Sequence, residues 1–130
     1  MKFLNTFYLL LTFLIAAPLI AESSSNLPQE DPYLAFAEEM PAPVGGIEAV
    51  YKKIVYPDIA KKAGLEGKVY LLVHVNENGG ADDVKVIKGI GGGCEEAAAK
   101  VLKESKYTPG KNKGVPVKVK LSLGITFKLK

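Results

Sequence analysis

The chain has 130 residues, 48% of them apolar, and its 17 basic side chains, all lysine, stand against 14 acids for a formal net charge of +3. One histidine, one cysteine and no arginine exclude a multi-histidine metal site, an intramolecular disulfide and the bidentate arginine contacts preferred for phosphate and base edges. The length suits one domain with a modest core, held by packing alone.

Residues 1–21 begin with Met1-Lys2 and continue through FYLLLTFLIAAPLI at 7–20, an apolar run of 14 residues ending beside Ala21. That is the length of a signal-peptide core, whereas a spanning helix needs roughly 20 apolar residues. The segment predicts export with cleavage after Ala21, a short membrane anchor being the alternative, and export removes most nucleic-acid partners. Residues 22–43 (ESSSNLPQEDPYLAFAEEMPAP) carry five acids and no lysine. Their composition predicts a mostly extended linker, on which Tyr33, Leu34, Phe36 and Met40 can still dock against the domain. The remainder, 44–130, holds 16 lysines against nine acids, or +7; solubility explains this charge most simply.

From Gly45-Gly46 onward the pattern tightens. Ile47, Val50, Tyr51 and Ile54 fall at helical spacing, and Pro57 can occupy the first turn of a second short helix that stops at Gly64. Val69 to Val75 alternates with largely apolar faces on both sides, as in a covered strand. Asn76 to Ala81 (NENGGA) supplies a glycine turn and Val84 to Ile87 the return strand, which together read as an antiparallel hairpin. Glu95 to Lys106 is a helix with acids at its start and lysines at its end, stopped by Pro109-Gly110. Over 115–129 the odd positions are Val115, Val117, Val119, Leu121, Leu123, Ile125, Phe127 and Leu129, and the even ones are largely lysine, serine and threonine. A continuous strand there reaches about 50 Å at ~3.3 Å per residue, so it should overhang its neighbours. The order predicts an α+β fold in which a three-stranded antiparallel sheet carries two to three helices on one face. Its last strand is an open edge, where lysines discourage uncontrolled pairing yet leave backbone groups for a chosen partner.

Little in the chain points to catalysis. Gly89-Ile-Gly-Gly-Gly-Cys94 joins a strand to a helix as phosphate loops do, but it lacks the last glycine of GxGxxG and a Lys-Ser/Thr pair, and Glu95 and Glu96 oppose an anion. His74 reads as a packed or surface imidazole, and Cys94 as a small, partly buried thiol. A Cys–His pair exists only if the fold unites them. No enzyme activity, cofactor or metal site is expected.

Several segments in one order resemble the TonB C-terminal domain family. They are MP…GG at Met40, Pro41, Gly45 and Gly46; YPDIAKKAGLEGKVYLLVHVNENGGADDVKVIKG at 56–89; the helix EEAAAKVL; and YTPGKNKGVPVKVKLSLGITFKL at 107–129. Tyr107 stands where the family commonly has Trp, and Gly124 where it commonly has Pro. The resemblance implies a domain at 44–130 that works in the periplasm and grips the TonB box, a short peptide of outer-membrane receptors, by adding it to the edge of the terminal strand. The implied contacts are Val117, Lys118, Val119, Lys120, Leu121, Ser122, Leu123, Gly124, Ile125, Thr126 and Phe127, together with Lys53 and Tyr56. Affinity then comes from the backbone ladder, and selectivity from Lys118, Lys120 and Thr126. The resemblance also implies support of energy-dependent transport and inner-membrane proton-driven motor proteins as further partners. Residues 22–43, fully extended, span about 70 Å. An adaptor without energy transduction, or a homodimer formed through the same edge, is the alternative.

Overall fold

A computed structural model describes residues 30–130. The signal-peptide or anchor reading of 1–21, and the linker reading over 22–29, fall outside these residues. No helix among the described residues is long and apolar enough to cross a membrane. One compact unit spans Asp31–Lys130. In chain order its elements are β1 (Ala42–Pro43), α1 (Ile47–Lys53), α2 (Asp58–Lys62), β2 (Gly67–Val75), β3 (Ala81–Lys88), α3 (Cys94–Glu104), β4 (Tyr107–Thr108), β5 (Gly110–Asn112), β6 (Val115–Val117) and β7 (Val119–Phe127).

The fold is α+β around a three-stranded antiparallel sheet of order β3-β2-β7. Strand β2 is central, paired with β3 on one side and β7 on the other; of its two expected apolar faces one carries Tyr70, 40% exposed, whereas the other is fully buried at Val69, Leu71, Val73 and Val75. Opposite them across the ladder stand Ile125, Leu123, Leu121 and Val119 of β7. Helix α3 closes this face with Ala98, Val101 and Leu102, while α1 contributes Val50 and α2 Ala60. The alternation of β2 and β7 places Lys68, Tyr70, Leu72, Ser122, Gly124 and Thr126 on the other face.

Two turns show why particular glycines stand where they do. In the β2–β3 turn the Asn76 side-chain oxygen accepts the N–H groups of Asn78 and Gly80, at 2.9 and 3.0 Å. Gly79 adopts φ 84°, and a side chain there would collide with the Tyr107 carbonyl oxygen. Gly91, Gly92 and Gly93 all have positive φ (87°, 66° and 85°), a conformation that other residues adopt only with strain. The Gly91 N–H donates to the Glu95 carboxylate at 2.6 Å, a bond that holds this carboxyl below its usual range. The glycine-rich loop therefore serves the turn into α3, and its acid sits where a phosphate loop would hold an anion.

The terminal run departs from a single long strand. Strand β6 folds back on β5 through Lys113 and Gly114, whose φ values of 52° and 78° match a two-residue hairpin turn with positive φ at both positions. The ladder of β6 with β5 ends at Val117 pairing Gly110, and that of β7 with β2 begins at Val119 pairing Val75. The overhang expected from length exists, but it is a separate small hairpin. Residues 31–43 are attached to the domain, with bends at 32–33, 35 and 38: Leu34 forms a parallel bridge to Val119, Glu39 an antiparallel bridge to Lys111, and β1 pairs with β4.

Candidate functional site

Strand β7 is bonded to β2 on one side, and its other side is a sheet edge. In an antiparallel pair alternate residues turn both backbone groups toward the neighbouring strand, and those between turn theirs away. Contacts at the two ends set the phase. The Lys120 N–H donates to the Leu34 carbonyl and the Leu34 N–H to the Lys118 carbonyl, each at 2.9 Å. The Thr126 N–H donates to the Tyr51 hydroxyl at 2.9 Å. Lys118, Lys120, Ser122, Gly124 and Thr126 therefore present their backbone outward, and the odd-numbered residues bond β2.

Side chains follow the same alternation. Val119, Ile125 and Phe127 are buried, and Leu121 and Leu123 pack partly buried on the core. These five turn toward the core and hold the edge in place. Ser122 and Thr126 are exposed, and at Gly124 a Cβ would stand 3.0 Å from the Lys68 side chain of β2. Among the described residues, the Lys118 carbonyl and the Lys120 N–H are engaged by Leu34, and the Thr126 N–H by Tyr51. The open stretch between them centres on 122–124.

The remaining sequence-derived positions are dispersed. Val117 lies in β6 and pairs with Gly110, beyond the β2–β7 ladder. The Tyr56 ring meets Phe127 edge-on at 5.3 Å and its hydroxyl donates to the Leu65 carbonyl, so Tyr56 braces the end of β7 from the core side. Desolvation pushes its hydroxyl pKa up. Lys53 lines a cleft of about 600 Å³ with Val55, Ala97, Lys100, Val101 and Glu104. It is two residues from Tyr51, roughly 200° around the helix, and so faces away from the edge.

Tyr51 was legible only as a member of an apolar helical stripe. It is 38% exposed, and its role at the edge depends on α1 lying across the end of β7, which no local pattern encodes. The 31–34 segment likewise carried only a possible docking signal. Its Tyr33 ring stands edge-on to His74, with centroids 4.8 Å apart at 85°, and its hydroxyl donates to the Asp82 carboxylate. That bond, then desolvation, pushes Tyr33 up to about 12; the same bond, then one from Asn76, holds Asp82 below the usual carboxylate range. His74 is nearly buried beneath this ring, on the face opposite Cys94, which sits in the core. The fold thus separates the Cys–His pair. Burial, then the nearby Glu95 and Glu96, pushes the Cys94 thiol pKa up, the reverse of what a nucleophile needs.

Comparison with known proteins gives one consistent result. The family model described as Gram-negative bacterial TonB protein C-terminal matches residues 52–129. Among solved structures, the TonB C-terminal domain of Helicobacter pylori is similar at 28% identity and TM-score 0.52, over 64% of this chain and 88% of that one. The TonB C-terminal domain of Pseudomonas aeruginosa is similar at 23% identity and TM-score 0.47, over 58% and 78% of the respective chains. No curated protein matches.

Proposed function

Because this chain belongs to the Gram-negative bacterial TonB protein C-terminal family, we propose that it binds TonB-box peptides of outer-membrane receptors in the periplasm by strand addition to β7. In that role it supports energy-dependent transport across the outer membrane. The observation that carries the reading is the state of β7, which is an edge strand with outward backbone groups free over 122–124 and its apolar side chains turned into the core. Such an edge offers ladder hydrogen bonds to an extended peptide and exposes little apolar surface of its own. Lys120 and Thr126 flank the stretch and supply selectivity.

Titration of the isotopically labelled chain with a synthetic TonB-box peptide tests this. The Ser122 and Gly124 amides should shift most. If saturating peptide leaves the whole of β7 unmoved, the reading fails.

A further inference from the structure

We infer that residues 31–34 are an internal pseudo-ligand, a strap seated at the head of the β7 edge proposed for the partner peptide, so that pairing beyond 122–124, along the whole edge, requires the strap to be displaced. The inference rests on the peptide-binding reading above and adds a regulatory element to it.

The strap bonds to the edge as an added strand would. Leu34 lies parallel to β7, donating to Lys118 and accepting from Lys120 at 2.9 Å each. Its flanking side chains add specific contacts. The Asp31 carboxylate pairs with the Lys120 ammonium, and it also accepts the Tyr33 N–H at 3.0 Å. Lys120, then that N–H, holds Asp31 below the usual carboxylate range. Tyr33 sits against His74, with the Lys118 ammonium 5.6 Å from its ring centre and Asp82 on its hydroxyl. The acid is thus read by Lys120 of the edge, and the aromatic by Lys118 together with His74 of β2 and Asp82 of β3.

The seat is also removable. Leu34 is 41% exposed, and Asp31 and Pro32 are exposed as well, so the main cover that lifts with the segment is the half-buried Tyr33 ring over His74. The chain is independently anchored further on, where the Glu38 N–H donates to the Asn112 side chain at 2.8 Å, Glu39 pairs with Lys111 and β1 pairs with β4. Residues 35–37 lie between these two attachments and can act as the hinge. While the strap is seated, a peptide entering the edge meets an occupied Lys118 and Lys120; when it lifts, the open edge runs from 118 to 124. A site that is competent only in its open fraction binds with its affinity reduced by that fraction.

The test uses the full chain with the double substitution Asp31→Lys and Leu34→Pro, which reverses the ion pair and removes the strap's donor, and Asp31→Lys alone as a milder variant. Amide exchange at Lys120 should accelerate in the double variant. A TonB-box peptide should bind it about tenfold tighter than the parent chain, as expected if the parent is open about a tenth of the time, with Asp31→Lys intermediate. Equal affinity for parent and variants overturns the strap and leaves peptide binding intact. Binding to none of them overturns the peptide-binding reading. The strap is then decided by a synthetic peptide of residues 30–36, which must shift Lys118 and Lys120 in the double variant and not in the parent. If it shifts neither, the strap is refuted.

Discussion

Proline at position 122 separates the roles of the two sides of β7. The Ser122 N–H points outward, so Ser122→Pro removes no bond to β2, and proline is tolerated on edge strands in that orientation. The ring also confines Leu121 to the extended region it already occupies. The expected loss of folding stability is about 1 kcal/mol, chiefly from drawing φ away from the strand value toward about −65°. Peptide binding should suffer more, because one ladder donor disappears and the ring blocks its neighbour. Two net hydrogen bonds at ~0.5–1.5 kcal/mol each amount to about 1–3 kcal/mol, or roughly 5- to 150-fold in Kd. Leu123→Pro is the opposite case: Leu123 pairs with the fully buried Leu71, and losing its N–H leaves a buried carbonyl unsatisfied at ~1–3 kcal/mol before any clash of the ring. Urea unfolding followed by circular dichroism and a peptide titration measure the two quantities, with Ser122→Ala, which keeps the N–H, as the control. If Ser122→Pro unfolds the protein as readily as Leu123→Pro, the outward phase assigned to the even positions is wrong. If it folds and binds like the parent, the peptide docks elsewhere.

Other expectations concern the framework. Leu102 is fully buried under the sheet, so Leu102→Ala should lower unfolding free energy by about 2–5 kcal/mol in a urea titration. Gly79→Ala places a Cβ into the Tyr107 carbonyl at φ 84°; a thermal melt should show a loss exceeding the ~0.4–1 kcal/mol by which Gly→Ala stabilises a compatible site. Desolvation pushes the buried Tyr107 hydroxyl up to about 12, above its ordinary value near 10. A raised folded pKa means that the unfolded chain loses its proton first. The stabilisation is therefore intact below about pH 10 and fades between about pH 10 and 12. Tyr107→Phe, which also removes the bond to the Leu102 carbonyl at 2.7 Å, should be less stable at neutral pH and show a shallower alkaline decline in unfolding midpoint.

The sheet, its three helices and the apolar face of β7 were legible in the sequence, because period-2 and period-3.6 patterns record which side of each element is buried. The β5–β6 hairpin was not. Lys118 breaks the strand without breaking the alternation of side chains, and the turn at Lys113 and Gly114 sits in a stretch whose composition reads simply as a loop. Lys53 and Tyr56 entered through resemblance alone, and the fold sends one to a cleft against α3 and the other to the core end of β7.

By itself, the sequence determined that the last strand has one buried and one solvated face and that its side chains leave the backbone available. It had no means of determining how much of that backbone is open. Hydrogen-bond phase depends on which neighbour lies alongside, and such neighbours come from far along the chain: Leu34 and Tyr51 reach Lys120 and Thr126 only after α1 and the leader have packed. The tertiary structure therefore decided the length of the open edge, because backbone pairing leaves no periodic trace in side-chain polarity.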